Sequence, residues 1–187
     1  MWGVARRCRI VVLVALGVLL ETPFAHAQPV MRFAATYQSS PEFSTSASVG
    51  SGGSLLYDQT VKVPAAINTL FVTISGAGDV GTINSTRLFL NCQVDTVNCK
   101  SGTRNGVGSP PNWINLLVDP SNTDSEDHSF SYTWCTPISK GANGTNHEVR
   151  INVASSTASS VFLEKALVTI DGVKIANPAL ACSTSGF

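Results

Sequence analysis

Charge is scarce in this sequence: 12 Lys and Arg balance 12 Asp and Glu across 187 residues. A nucleic-acid binder carries a basic patch or stripe, and no cluster of Lys or Arg is available to build one. Long hydrophobic runs are missing too. One apolar segment, residues 10–20, lies near the start, and it falls short of the roughly 20 residues needed to span a bilayer. No stretch beyond it repeats apolar residues at the 3.6-residue period with paired caps, which argues against a helical protein. Catalytic signatures are scarce as well. There is no G-x-S-x-G elbow and no H-E-x-x-H pair.

The first residues point to a compartment. Arg6, Arg7 and Arg9 precede the apolar run, and Ala25-His26-Ala27 gives the small-x-small pattern that signal peptidase accepts. Residues 1–27 therefore read as a cleaved secretory signal peptide, with a mature chain from Gln28. The Arg6-Arg7 pair serves as n-region charge. Cys8 precedes the apolar run and is not placed as a lipoprotein cysteine. Losing three arginines with Glu21 leaves the mature chain slightly negative. The expected location is secreted, periplasmic or extracellular, with no transmembrane segment after cleavage.

Of five cysteines, Cys92, Cys99, Cys135 and Cys182 survive that cleavage. An even set in an exported chain reads as two disulfides, with three connectivities open. The segment CQVDTVNC favours one of them. If Asp95-Thr96 form a two-residue turn, Val94 faces Val97, Gln93 faces Asn98 and Cys92 faces Cys99. Directly opposed Cα atoms in antiparallel strands sit about 4.5–5.5 Å apart, within disulfide reach. A zinc knuckle wants closer cysteines and a second ligand pair, and a redox motif wants two intervening residues. Cys92–Cys99 thus reads as a local staple, and Cys135–Cys182 as a bridge that ties down the C-terminal tail.

Strand patterns fill the rest. Val30 to Thr36 reads as a first strand, followed by a Ser/Gly-rich stretch with the composition of a flexible crossing. Residues 28–54 are taken as that strand and arm, and residues 55–187 as the main domain. Strands are expected at Leu55 to Val63, in NTLFVTIS, STRLFLNCQV, WINLLV, HSFSYTWC and HEVRINVAS, and in SVFLEKALVTIDG. Short apolar-alternating runs separated by Gly, Pro, Asn and Ser define the fold class: an all-β, two-sheet antiparallel sandwich, a jelly roll of about eight strands. The last two runs read as a hairpin, with His147, Val149, Ile151 and Val153 facing inward.

Several motifs bear on function. GAGDVG matches G-x-G-x-x-G after a strand, but β-branched residues rather than a helix follow, so it reads as a turn between strands. DPSNTDSED offers Asp119, Asp124 and Asp127 as oxygen ligands for a structural Ca2+, without the EF-hand spacing; no other cofactor is implied. In HSFSYTWC, alternation sets His128, Phe130, Tyr132 and Trp134 on one face. Such a row is either one wall of the core or a platform on which sugar rings stack. Trp113 alternates differently and is the other candidate, so Trp113, Tyr132 and Trp134 form the ligand-binding set. His128 and His147 alternate with apolar residues and read as structural. Glu148 and Glu164 fall on the two arms of the expected hairpin, where Arg150 and Lys165 can pair with them. Asn84 and Asn143 begin glycosylation sequons.

Three functions follow, in order. The first is a secreted, non-enzymatic binding module with a glycan as ligand. The second is a structural or adhesin-like domain that contacts another surface protein. The third is a secreted hydrolase acting through carboxylates. N-terminal sequencing of the exported protein should find Gln28 first; a chain that retains the apolar run would overturn the signal reading.

Overall fold

A computed structural model describes residues 30–38, 43–79, 86–100, 112–118, 128–139, 144–156 and 160–184. The signal segment, the acidic loop with Asp119, Asp124 and Asp127, and the sequons at Asn84 and Asn143 lie outside the described residues. Among the described residues ten strands follow in order: β1 (Met31–Gln38), β2 (Phe43–Thr45), β3 (Ser54–Val63), β4 (Thr69–Asp79) and β5 (Arg87–Val94), then β6 (Val97–Asn98), β7 (Ile114–Val118), β8 (His128–Pro137), β9 (Thr145–Ser155) and β10 (Val161–Val173). A 3-10 turn covers Val49–Ser51, and helix α1 (Pro178–Thr184) ends the described chain.

The strands form two antiparallel sheets. One runs β1-β10-β4-β8, with β2 also against β10. The other runs β3-β9-β5, and both β6 and β7 pair with the far edge of β5. Leaving aside the short β2 and β6, first pairs with last, second with seventh, third with sixth and fourth with fifth. That nested order is consistent with a jelly roll.

Period-two alternation explains why the sheets face each other. Leu70, Val72 and Ile74 of β4 and Val149, Ile151 and Val153 of β9 are fully buried. They meet Leu88, Leu90, Val168 and Ile170 in one core between the sheets. Each such side chain contributes about 1.5–3 kcal/mol when fully buried. Pro64 follows the last residue of β3, where a missing N–H costs no ladder bond.

Three expectations change. β9 and β10 are not a hairpin: β9 pairs with β3 and β5, while β10 pairs with β1, β4 and β2 in the opposite sheet. Consecutive strands of a sandwich often cross between sheets, and alternation within a strand cannot reveal which sheet it joins. Glu148 and Glu164 are consequently on different sheets. GAGDVG is not a turn in its first half, because Gly76 to Asp79 continue β4 and pair with β10. Gly76 and Gly78 answer a packing demand. A Cβ on Gly76 would lie 1.9 Å from the Lys165 carbonyl oxygen, beside the bulge that follows Leu163. Helix α1 was not anticipated. Asn177 accepts from the Leu180 N–H and Pro178 opens the helix, so an N-cap and an N1 proline were present in the sequence.

Gly76→Ala should therefore destabilise the protein by roughly 1–3 kcal/mol or more through backbone overlap. Gly50→Ala, whose added Cβ meets nothing closer than 3.7 Å, should cost far less. Chemical denaturation of both variants measures the difference, and equal losses would contradict the close approach of β4 and β10.

Candidate functional site

The β5–β6 corner has the register expected from CQVDTVNC. Gln93 faces Asn98 and Val94 faces Val97. Cys92 and Cys99 are joined, with Cα atoms 5.3 Å apart, and the Cys99 N–H donates to the Cys92 carbonyl at 2.8 Å. The second disulfide joins Cys135 of β8 to Cys182 of α1, fastening the helix to the outer side of the first sheet. Both central turn residues are left-handed, Asp95 at φ 52° and Thr96 at φ 67°. Such a turn matches the natural strand twist but favours Asn and Gly over Asp and Thr. Asp95 compensates through its carboxylate. Oδ1 accepts from the Glu148 N–H at 2.9 Å, and Oδ2 lies 2.6 Å from His147 Nδ1. His147 is buried on the inward face of β9, in the structural role expected of it.

The outer face of the same sheet holds a pocket of about 210 Å³. Asn91 and Gln93 reach it from β5, Asn98 from β6 and Asn152 from β9, with Asn112, Trp113 and Gly52 completing the wall. The geometry follows from the strand register, since Asn91 sits opposite Asn152 and Gln93 opposite Asn98. Asn91 Nδ2 donates to Asn98 Oδ1 at 3.0 Å and to the Asn112 carbonyl at 2.7 Å. Gln93 Nε2 donates to the same Asn98 oxygen at 3.2 Å. Asn152 has no side-chain hydrogen-bond partner among the described residues. None of the described residues that line it carries a charge. Arg150, on the same outward row of β9 as Asn152, is held 3.3 Å from Asp58 and donates to Glu148 at 2.8 Å.

Trp113 faces outward, as its alternation implied, but it is not an exposed platform. Only 8% of its surface is accessible. It packs with Phe89, Ala154 and Val49 in a small cluster outside the main core. Gly53, at φ 71°, lies so close that a Cβ there would stand 2.8 Å from the end of the Trp113 ring. The indole thus supplies the apolar wall of the pocket. Tyr132 and Trp134 must be removed from the ligand-binding set. They point between the sheets, with Trp134 only 1% exposed, and pack edge to face with centroids 5.0 Å apart. Apolar burial claimed the aromatic row.

No group of three His, Cys, Asp or Glu among the described residues is placed to hold a metal. Arg32 donates to Asp171 at 2.9 Å, which raises the arginine's pKa above its usual value; the pair is exposed and far from the pocket. No helix among the described residues is long and apolar enough to cross a membrane.

The carboxamides were not singled out in the sequence. A signal existed, because Asn is disfavoured in strands, yet Asn91, Asn98 and Asn152 all occupy strand positions on the outward face.

No protein-family model matches the chain, and no curated protein matches it either. Solved structures to which the chain is similar include one of the infectious bursal disease virus Gt strain, at TM-score 0.44 and 11% identity, covering 82% of this chain and 39% of the viral chain. Dimeric latent PorU from Porphyromonas gingivalis is similar at TM-score 0.36 and 16% identity, over 80% of this chain and 14% of PorU. A VP2 subviral particle of infectious bursal disease virus gives 0.25 and 18%, over 83% and 44%. The chain thus spans less than half the length of each of these proteins.

Thr96 is exposed and β-branched in a left-handed conformation, which costs about 1–2 kcal/mol. Thr96→Gly should raise stability by roughly 1 kcal/mol, after allowing for the added freedom of glycine in the unfolded chain. A thermal or urea midpoint that falls instead would show that the turn does not have this geometry.

Proposed function

We propose that this protein is a secreted, non-enzymatic binding module whose ligand is a glycan. The observation that carries the reading is the outward pocket in which Asn91, Gln93, Asn98 and Asn152 converge beside Trp113. Carboxamides offer donors and acceptors together, and so match hydroxyl groups, which do the same. An apolar indole wall beside them suits the C–H faces of a sugar ring. The described lining is mainly polar, five carboxamide residues beside one indole, which suits a hydroxyl-rich ligand better than an apolar one. Export is supported by two disulfides, a feature of oxidising compartments.

Two observations weigh against the other readings. The large hydrophobic residues most exposed among those described are scattered over five elements or their flanks: Val30, Met31, Leu55, Val97, Leu167 and Leu180. Isolated apolar residues of this kind do not make the contiguous patch that marks a protein partner. Glu148 and Glu164, the carboxylates a hydrolase would have used, lie on different sheets.

Trp113 and Trp134 are the tryptophans of the mature chain, and the second is sealed in the core. Titration with soluble polysaccharides should give a saturable fluorescence change that arises from Trp113. The change should vanish in Trp113→Phe, while calorimetry on that folded variant should show affinity weakened about tenfold, on the order of 1.4 kcal/mol. Silence by both methods across a broad panel would reject the glycan reading.

A further inference from the structure

We infer, building on the glycan reading, that the Trp113 pocket accepts a single uncharged sugar residue, and that Asn98 Nδ2 is the donor aimed at one of its hydroxyls. The orientation of each carboxamide follows from one fixed point. The Asn112 backbone carbonyl can only accept, so the Asn91 group 2.7 Å away must be its Nδ2. Asn91 then directs its second amide hydrogen at Asn98, 3.0 Å away, which must answer with Oδ1. That same oxygen also receives Gln93 Nε2. With both lone pairs of Asn98 Oδ1 occupied, its Nδ2 keeps two hydrogens for a ligand.

The chain of bonds sets the complement as well. Asn91 Oδ1 and Gln93 Oε1 stay available as acceptors, and Asn152 contributes a further amide without partners among the described residues. Fixed donors alternating with acceptors around a rim whose described residues are uncharged suit adjacent hydroxyls, each of which donates and accepts. A carboxylate or sulfate would bring its charge to a wall whose described residues include no cation, the nearby Arg150 being engaged by Asp58 and Glu148. Burying a charge without a partner is strongly unfavourable. Size sets the limit to one residue. The volume of about 210 Å³ lies below the ~300–1,000 Å³ of pockets for drug-sized ligands. The rest of a glycan chain would lie outside the pocket.

The test uses the mature protein, with short neutral glucans, mannans and galactans on one arm and polyuronate and sulfated polysaccharide on the other. Binding is read by calorimetry, and free neutral monosaccharides serve as competitors. The expected result is neutral binding that one monosaccharide displaces completely. Asn98→Asp is the decisive variant. It still accepts from Asn91 and Gln93, so the internal bonds persist, but an acceptor oxygen replaces the donor. Its affinity should fall about tenfold or more with the unfolding midpoint little changed. Should that variant fail to fold, Asn152→Ala carries the same expectation, because no described side chain depends on it. Binding confined to the acidic polysaccharides, binding that no monosaccharide displaces, or unchanged affinity in the folded variant overturns this inference and leaves the glycan reading standing. No binding on either arm by the folded wild type overturns both.

Discussion

The burial of two alternating apolar faces against each other is the constraint on which everything else here depends. Once Leu70, Val72 and Ile74 on one sheet meet Val149, Ile151 and Val153 on the other, every second residue of each strand is committed to the interior. The intervening positions are left on the outer faces, free to carry side chains that packing does not choose. Asn91 and Asn152 are such residues. They are held in place by neighbours such as Cys92 and Ile151, whose packing in the core fixes the backbone beneath them. The pocket on the outer face is thus positioned by apolar contacts made on the inner one.

The β5–β6 corner shows how local strain is offset by contacts around it. Two non-glycine residues at positive φ would not hold a tight turn unaided, since L-residues avoid that conformation. The Cys92–Cys99 bridge closes the corner from below, and Asp95 fastens it sideways to β9 through Glu148 and His147. The bridge also stands one residue outside the Gln93–Asn98 pair, which it therefore keeps in register. Cys92 and Cys99 face the core, so the link is sheltered from solvent thiols and acts as a constant constraint rather than a switch. A two-residue strand such as β6 has too few ladder bonds to persist alone. Without this bracing, Asn98 would lose its place in the pocket.

Much of the fold was legible because strands announce themselves by period. All eight main strands fall where alternation and turn residues put them, and the register of CQVDTVNC followed from counting outward from its turn. What escaped was non-local. Whether β9 and β10 share a sheet depends on the path of the connecting residues and on partners far off in sequence, which one strand's alternation does not encode. The glycines after Ser75 looked like a turn because their need for close contact comes from a bulge in β10, nearly 90 residues away. The aromatic row in β8 obeyed the same burial rule as its aliphatic neighbours. Helix α1 was overlooked despite its Asn177–Pro178 start, because seven residues are too few to display a helical period.

The pocket was illegible for a related reason: its members are ordinary residues until the sheet sets them side by side. Asn91 and Asn152 are 61 residues apart, yet they are direct cross-strand partners. From Asn91 to Asn98 the polarity of each amide passes from one side chain to the next, starting from a backbone carbonyl that cannot reverse its role. Such a relay fixes what the rim offers before any ligand arrives, and a ligand that matches it incurs little cost from reordering these side chains. Buried polar groups are also unforgiving, because a ligand that leaves one of them unpaired loses the desolvation energy of that group. On the proposed glycan reading, selectivity comes from hydrogen-bond complementarity, and the sheltered indole would supply attraction without discriminating among sugars. In the proposed glycan site, that division of labour gives the carboxamides, rather than the aromatics, the deciding role in selectivity.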